Sequence, residues 1–238
     1  MNRYFVSLAV SVTAAALLTA CGGGGAKQVA PTVNPADFQA KVDHPLFPLS
    51  SRGAKVFEGE ERDPETGEVI KTRLESTLLP QTDVVAGVEV TVLQEKDYEN
   101  GENGELVEST LDYFAQHRDG SVYYFGERVD KYEGGKVVGH EGQWLAGEGA
   151  NEPGIYMPAK LVLGQTFEQE KAPGLAEDAS KVVALDETVT TPAGSFSGCV
   201  KTEDFSPLDK TTEFKYYCPG VGLAREEPPG GHLDLISY

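Results

Sequence analysis

A run of short alternating segments, cut at close intervals by turn dipeptides, limits what this chain can fold into more than any other feature. Glu65-Thr66-Gly67, Asn103-Gly104, Asp119-Gly120 and Gly134-Gly135 are the clearest breaks, and such pairs between alternating runs signal β-hairpins. Val84, Ala86, Val88, Val90 and Val92 alternate with Glu89, Thr91 and Glu95, the period of a half-buried strand. No stretch holds a helical period, and only Gly174 to Ser180 hints at a single helical turn. The expected fold is all-β: an antiparallel meander of about ten strands forming a barrel or a strongly curved sheet.

Turn lengths carry register. If Asp119-Gly120 is a two-residue turn, Asp112 lies across from Glu127, Phe114 from Phe125 and Gln116 from Tyr123. A second two-residue turn at Gly134-Gly135 sets Phe125 opposite Trp144 and Val129 opposite His140. One face of three neighbouring strands then carries the row Phe114, Phe125 and Trp144, with Asp112 and Glu127 beside it and His140 one row further along. Directly opposed carboxylates repel unless one is protonated or a cation lies between them. Two readings stay open. Either this face is a ligand-binding floor, or it is solvated and the core is the opposite face with Val88, Val90, Val92, Val107, Leu111 and Tyr113.

The amino terminus has the parts of an export leader: Arg3, an apolar stretch from Phe5 to Leu18, then small residues. Leu18-Thr19-Ala20-Cys21 resembles the lipobox of bacterial lipoproteins. That resemblance implies a signal peptide over residues 1–20 and acyl chains on Cys21, more than one of which makes a stable membrane anchor. Gly22 stands where lipoproteins retained in the inner membrane often carry Asp, so the expected location is the outer membrane, facing the periplasm. Residues 21–42 are rich in Gly, Ala and Pro without a period and read as a flexible tether, of about 25 Å typical span. Residues 43–238 read as one β-rich domain.

With Cys21 assigned to lipid, Cys199 and Cys218 remain. An even pair in an exported chain implies a disulfide, and a four-residue loop from Pro207 to Lys210 places the two directly opposite on adjacent strands. Charge narrows the partners. Thirty-eight acidic side chains stand against 20 basic ones, a field that repels phosphates, so no nucleic acid is expected. Cations, basic proteins and the membrane reached through Cys21 are the partners it allows.

Catalytic and cofactor signatures fail. Ser195 and Ser197 lack the Gly-x-Ser-x-Gly spacing of a nucleophile elbow. Asp97 to Glu105 lacks the fifth and sixth positions of a calcium loop. His44, His117, His140 and His232 show no zinc-ligand spacing. No cofactor is expected, no catalytic residue is assigned, and a metal is left open. Gly147 to Pro158 reads as a long ordered loop, a second choice for ligand contact or a crossover packed on the sheet.

The strings Glu108-x-Thr110-x-Asp112-Tyr113-Phe114-Ala115-Gln116, Asp119-Gly120-x-Val122-Tyr123-Tyr124-Phe125-Gly126-Glu127 and Tyr216-Tyr217-x-Pro219-Gly220-Val221-Gly222 resemble a group of uncharacterised bacterial secreted proteins and lipoproteins, from about Phe47 onward. The resemblance implies an exported, β-rich, lipid-anchored protein and brings no activity with it. His117 stands where the group's pattern leads one to expect an acidic residue. Three functions remain: an envelope lipoprotein that binds a small ligand, cation or partner protein without catalysis, which is preferred; a structural envelope lipoprotein; and a hydrolase using Asp112 and Glu127.

Overall fold

The computed structural model describes residues 33–51, 53–63, 66–101, 104–208 and 210–238. The leader and Cys21 lie outside them, as do Glu65 and Asn103 of two expected turns. The described chain is all-β. It contains β1 (Phe38–Gln39), β2 (Lys55–Arg62), β3 (Val69–Val85), β4 (Val88–Glu99), β5 (Glu105–His117), β6 (Val122–Glu133), β7 (Lys136–Gly139) and β8 (Trp144–Leu145). These are followed by β9 (Glu152–Met157), β10 (Thr166–Glu168), β11 (Glu170–Lys171), β12 (Ala179–Thr191), β13 (Gly194–Phe205), β14 (Thr212–Cys218), β15 (Gly222–Glu227) and β16 (His232–Ser237).

Thirteen strands form one antiparallel path in the order β10-β12-β13-β14-β15-β16-β2-β3-β4-β5-β6-β9-β11. The path has more strands than the ten expected because the connections after residue 143 are themselves strands. Its two ends are consecutive in the chain: β10 pairs with β12, and β11, one residue later, pairs with β9. A single stave thus spans the seam and makes the sheet a nearly closed barrel. Gly154 permits the approach there, since a Cβ at this position would lie 2.1 Å from the Gln169 carbonyl oxygen. The Gly147 to Pro158 loop is therefore mostly wall, with β9 at its centre. The expected helical turn is instead a tight turn closed by the Ala172–Ala176 bridge.

The domain starts earlier than residue 43. Asn34 caps a short 3-10 turn, Phe38 and Gln39 pair with His117 and Gln116, and Val42 is fully buried. Residues 33–42 therefore belong to the folded domain rather than to a tether. The chain then turns inward, and the Phe47 ring packs 5.1 Å from Phe114 and 4.7 Å from Tyr156, filling one end of the barrel.

Register is the decisive detail. His117 N–H donates to Ser121 O and Gly120 N–H to His117 O, with Gly120 at φ +99°. The loop therefore has three central residues rather than two, a common hairpin type that needs a left-handed residue at its third position. Phe114 consequently faces Tyr124, and Gln116 faces Val122. A β-bulge then adds one residue to β6, with Gly126 at φ +109°, and Asp112 regains Glu127 as its partner. The expected carboxylate pair is present, but Phe125 is turned to the other face, where its ring meets Phe38 at 5.4 Å. Beyond Gly134-Gly135 a shift between Lys131 and Tyr132 breaks the ladder, so Trp144 faces Glu127 instead of Phe125.

On the far side, β13 and β14 hold the expected register, Val200 facing Tyr217 and Phe205 facing Thr212, and Cys199 and Cys218 form a disulfide. The bridge sits in an apolar cluster with Val189, Ala224 and Leu235. The tip of the β12–β13 hairpin folds onto this cluster, Ala193 N–H donating to Leu235 O.

Two outcomes follow. Replacing Cys199 and Cys218 together by Ser is expected to lower stability by about 3 kcal/mol, read by chemical denaturation. Gly126→Ala, whose Cβ would meet Trp144 O at 2.3 Å at a left-handed position, is expected to lower stability by about 1–3 kcal/mol in the same assay.

Candidate functional site

A strand with one face inside a barrel sends every second side chain into the lumen. On β4 those residues are Leu93, Glu95 and Asp97; on β5 Glu108, Thr110 and Asp112; on β6 Glu127, Val129 and Lys131. The wall opposite adds Glu213 and Lys215 from β14 and Glu226 from β15. Together they line a cavity of about 210 Å³. Among the described residues, eleven acidic side chains and three lysines face it, so the interior is strongly acidic. The Phe47 end is apolar, with Phe114, Tyr124 and Tyr156 as its wall.

The cations do not serve all of these acids. Lys215 is sunk among Glu213 at 2.8 Å, Asp204 at 3.6 Å and Glu226 at 3.8 Å, and these neighbours hold its amine well above the usual lysine value despite burial. Lys131 pairs with Glu108. Lys55 donates to Leu223 O. The remaining group is built around the opposed pair. Asp112 accepts Thr110 Oγ1–H at 2.8 Å and Tyr124 Oη–H at 2.7 Å. Glu170, brought in by the seam-closing stave, accepts Trp144 Nε1–H at 3.4 Å through Oε1. Its Oε2 is buried and receives no donor, while Asp178 lies against the carboxyl, within hydrogen-bond reach of its protonated form.

Burial and crowding push these acids upward. Burial raises Asp112 to about 7, the Glu95 charge adding to it and the two hydroxyl donors pulling back. Burial, followed by the charges of Asp112, Glu170 and Asp178, holds Glu127 well above the carboxylate range. Glu170 is raised in the same way, first by burial and then by Asp178. Further along, burial with Glu95, Glu226 and Glu61 raises Asp97. Burial lifts Glu226 to about 8 against the pull of Lys215, and burial with Glu213 and Glu99 lifts Glu61 to about 7. Uncompensated desolvation favours the neutral acid.

Of the residues singled out in the sequence, Phe114, Asp112 and Glu127 line the lumen. Trp144 stands just behind the lining, edge-on to Tyr124 at 5.6 Å. Phe125 does not line it, because the bulge turns it outward, and Tyr124 takes its place in the aromatic row. His140 is also outside: its ring is exposed, with Nδ1 at 2.8 Å from Val129 O and 3.0 Å from Asp130 Oδ1. The opposite face, with Val88, Val90 and Tyr113, is buried too, so neither face of these strands is simply wet. Tyr156, from the Gly147 to Pro158 segment expected as a second choice for ligand contact, does line the lumen, whereas Glu95, Glu170, Asp178 and Lys215 are site residues that the sequence motifs do not single out. The alternation of Glu95 and Asp97 on one face of β4 was the available sign. Among the described residues no three His, Cys, Asp or Glu side chains stand close enough to hold a metal ion.

No protein-family model matches the chain, and no curated protein matches it. Among solved structures, a "putative lipoprotein" from Parabacteroides distasonis ATCC 8503 aligns at 14% identity over 81% of this chain and 97% of that one. Its TM-score is 0.36, too low to carry any conclusion about this protein.

The raised carboxyls fix the sign of a pH effect. Their folded pKa values exceed the unfolded value of about 4, so between that value and about 7 to 8 the folded chain binds more protons than the unfolded one. Stability therefore falls as pH rises through this window, by at most about 1.4 kcal/mol per pH unit per group. The expected result is a Tm that declines from about pH 5 to about pH 8, with a shallower decline in Asp112→Asn, measured by calorimetry.

Proposed function

We propose that this chain is a lipid-anchored protein of a bacterial envelope whose barrel is a non-catalytic module holding a small ligand in its lumen. The lipobox resemblance supports the anchor. The observation that carries the ligand reading is the lumen itself: a cavity of about 210 Å³ with an aromatic end wall and an excess of buried acids. A barrel that served only as scaffold gains more by filling its interior with apolar side chains than by burying carboxyls, since isolated buried polar groups are destabilising. Carboxyl groups turned inward around open space are the expected cost of recognition. The volume is below the roughly 300–1,000 Å³ of drug-sized sites, so the ligand is compact.

A hydrolase remains the second reading, because one specific feature favours it. Asp112, raised to about 7, stands directly opposite Glu127, which burial and its acidic neighbours also raise, and raised carboxyls paired in a cavity suit proton transfer near neutral pH. Screening the purified full chain against calcium, transition metals, amines and envelope lipids by thermal shift separates the readings. A lumen ligand at about 100 times its Kd is expected to raise Tm by roughly 5–10 °C and to be recovered unchanged. Recovery as a cleaved product selects the hydrolase, and a screen with no stabilising compound leaves the scaffold reading.

A further inference from the structure

The acids of the lumen are arranged as a ladder. Successive rungs follow the strand register: Asp112 with Glu127, then Glu95 opposite Thr110, then Asp97 opposite Glu108. Each rung lies two residues further along the strands, and two residues advance about 7 Å, close to the span of a four-carbon chain between two amines. The first rung is also the one without a lysine. The leading charges on Asp112 and Glu127 are acidic, and Glu170, on which Asp178 acts more strongly than Lys215, closes over them from the seam. Glu170 is 8% exposed, lines the cavity, and leaves Oε2 without a hydrogen-bond donor. Thr72 Oγ1, 7% exposed on the same lining, is likewise unpartnered.

A compact metal ion does not satisfy this geometry, because no three acids among the described residues stand close enough together for metal–oxygen bonds, which are shorter than the N–H···O contacts of an ammonium group. A cation with donors spread along a line does. Aromatic faces beside the first rung add to this, since ammonium groups are attracted to ring faces, and Tyr124 and Tyr156 supply them at the lumen wall.

We infer that the lumen binds a linear aliphatic di- or polyamine, with one ammonium group among Asp112, Glu127 and Glu170 and the next near Glu95 and Asp97. This rests on the ligand-binding reading above and names the chemical class. The terminal ammonium supplies donors to Glu127 and to Glu170 Oε2, the methylene chain lies along Leu93 and Val129, and binding moves the raised acids to their ionised forms with release of their protons.

Trp144 is the one tryptophan in the chain and touches both Glu170 and Tyr124, so its fluorescence reports on the first rung. The test is a titration of the purified full chain with spermidine at about 0.15 M ionic strength, where attraction to exposed surface charge is screened. A saturable change in Trp144 emission is expected, competed by putrescine and absent with butylamine or succinate at the same concentrations. Glu127→Gln and Glu170→Gln, which keep side-chain shape, are each expected to weaken spermidine at least about tenfold with the circular dichroism spectrum unchanged. Glu133→Gln, at the exposed end of β6, is expected to leave it unchanged.

A spermidine response that survives both lumen substitutions overturns the inference, because it then reflects the acidic surface. If spermidine gives no response while a neutral or anionic compound changes Trp144 emission, the polyamine class is wrong and the ligand-binding reading stands. If no small compound changes it, both fall.

Discussion

The structure depends on keeping acids inside a barrel. A carboxylate withdrawn from water is strongly destabilised unless it is paired or protonated, and this lumen uses both remedies. Lys215 and Lys131 neutralise acids on their own stretches of wall, while the group around Asp112 and Glu127 is held closer to its protonated form. Because the interior is polar, the apolar burial that holds the fold is displaced. It gathers at one end around Phe47, Phe114 and Tyr156, on the outer face where Phe38 covers Phe125, and around the disulfide. The segment from Val33 to Leu49 is therefore integral to the fold, since it supplies Phe38, Val42 and Phe47.

Much of the local architecture was readable. Hairpin dipeptides and strand alternation led to an all-β meander, and the Pro207–Lys210 loop length placed Cys199 across from Cys218 with no compensating error. At the Asp112–Glu127 pair the reading arrived at the observed partners by two offsetting deviations. The turn has one residue more than assumed, and the bulge at Gly126 restores the count. Between the two deviations every side chain of β6 changes face relative to expectation, because strand periodicity is two. That is why Tyr124 rather than Phe125 stands in the aromatic row. The dipeptide Asp119-Gly120 is compatible with both turn lengths, and Gly126 had an equally ordinary reading as a small residue in a strand.

The site was legible only where it is local. Asp112, Glu127 and Phe114 lie on one hairpin, so turn counting could bring them together. Glu170 and Asp178 come from the seam, Tyr156 from β9, and Lys215 from β14. No local pattern relates them to residue 112, because each reaches the lumen through barrel closure. His140 illustrates the converse. Simple counting through Gly134-Gly135 carried it inward, whereas the ladder breaks at Lys131 and leaves its ring at the surface.

By itself the chain's sequence determined the β class, the antiparallel neighbours joined by short turns, the cysteine pair and the acidic character, since each of these follows from period, turn chemistry or composition over a few residues. Tertiary structure alone decided that the acids face inward, that the stave from Thr166 to Lys171 closes the wall, and that Glu170 meets the Asp112–Glu127 rung. Those outcomes depend on which strand ends meet across the seam, and the free energy of that meeting is a property of the whole closed sheet rather than of any segment in it.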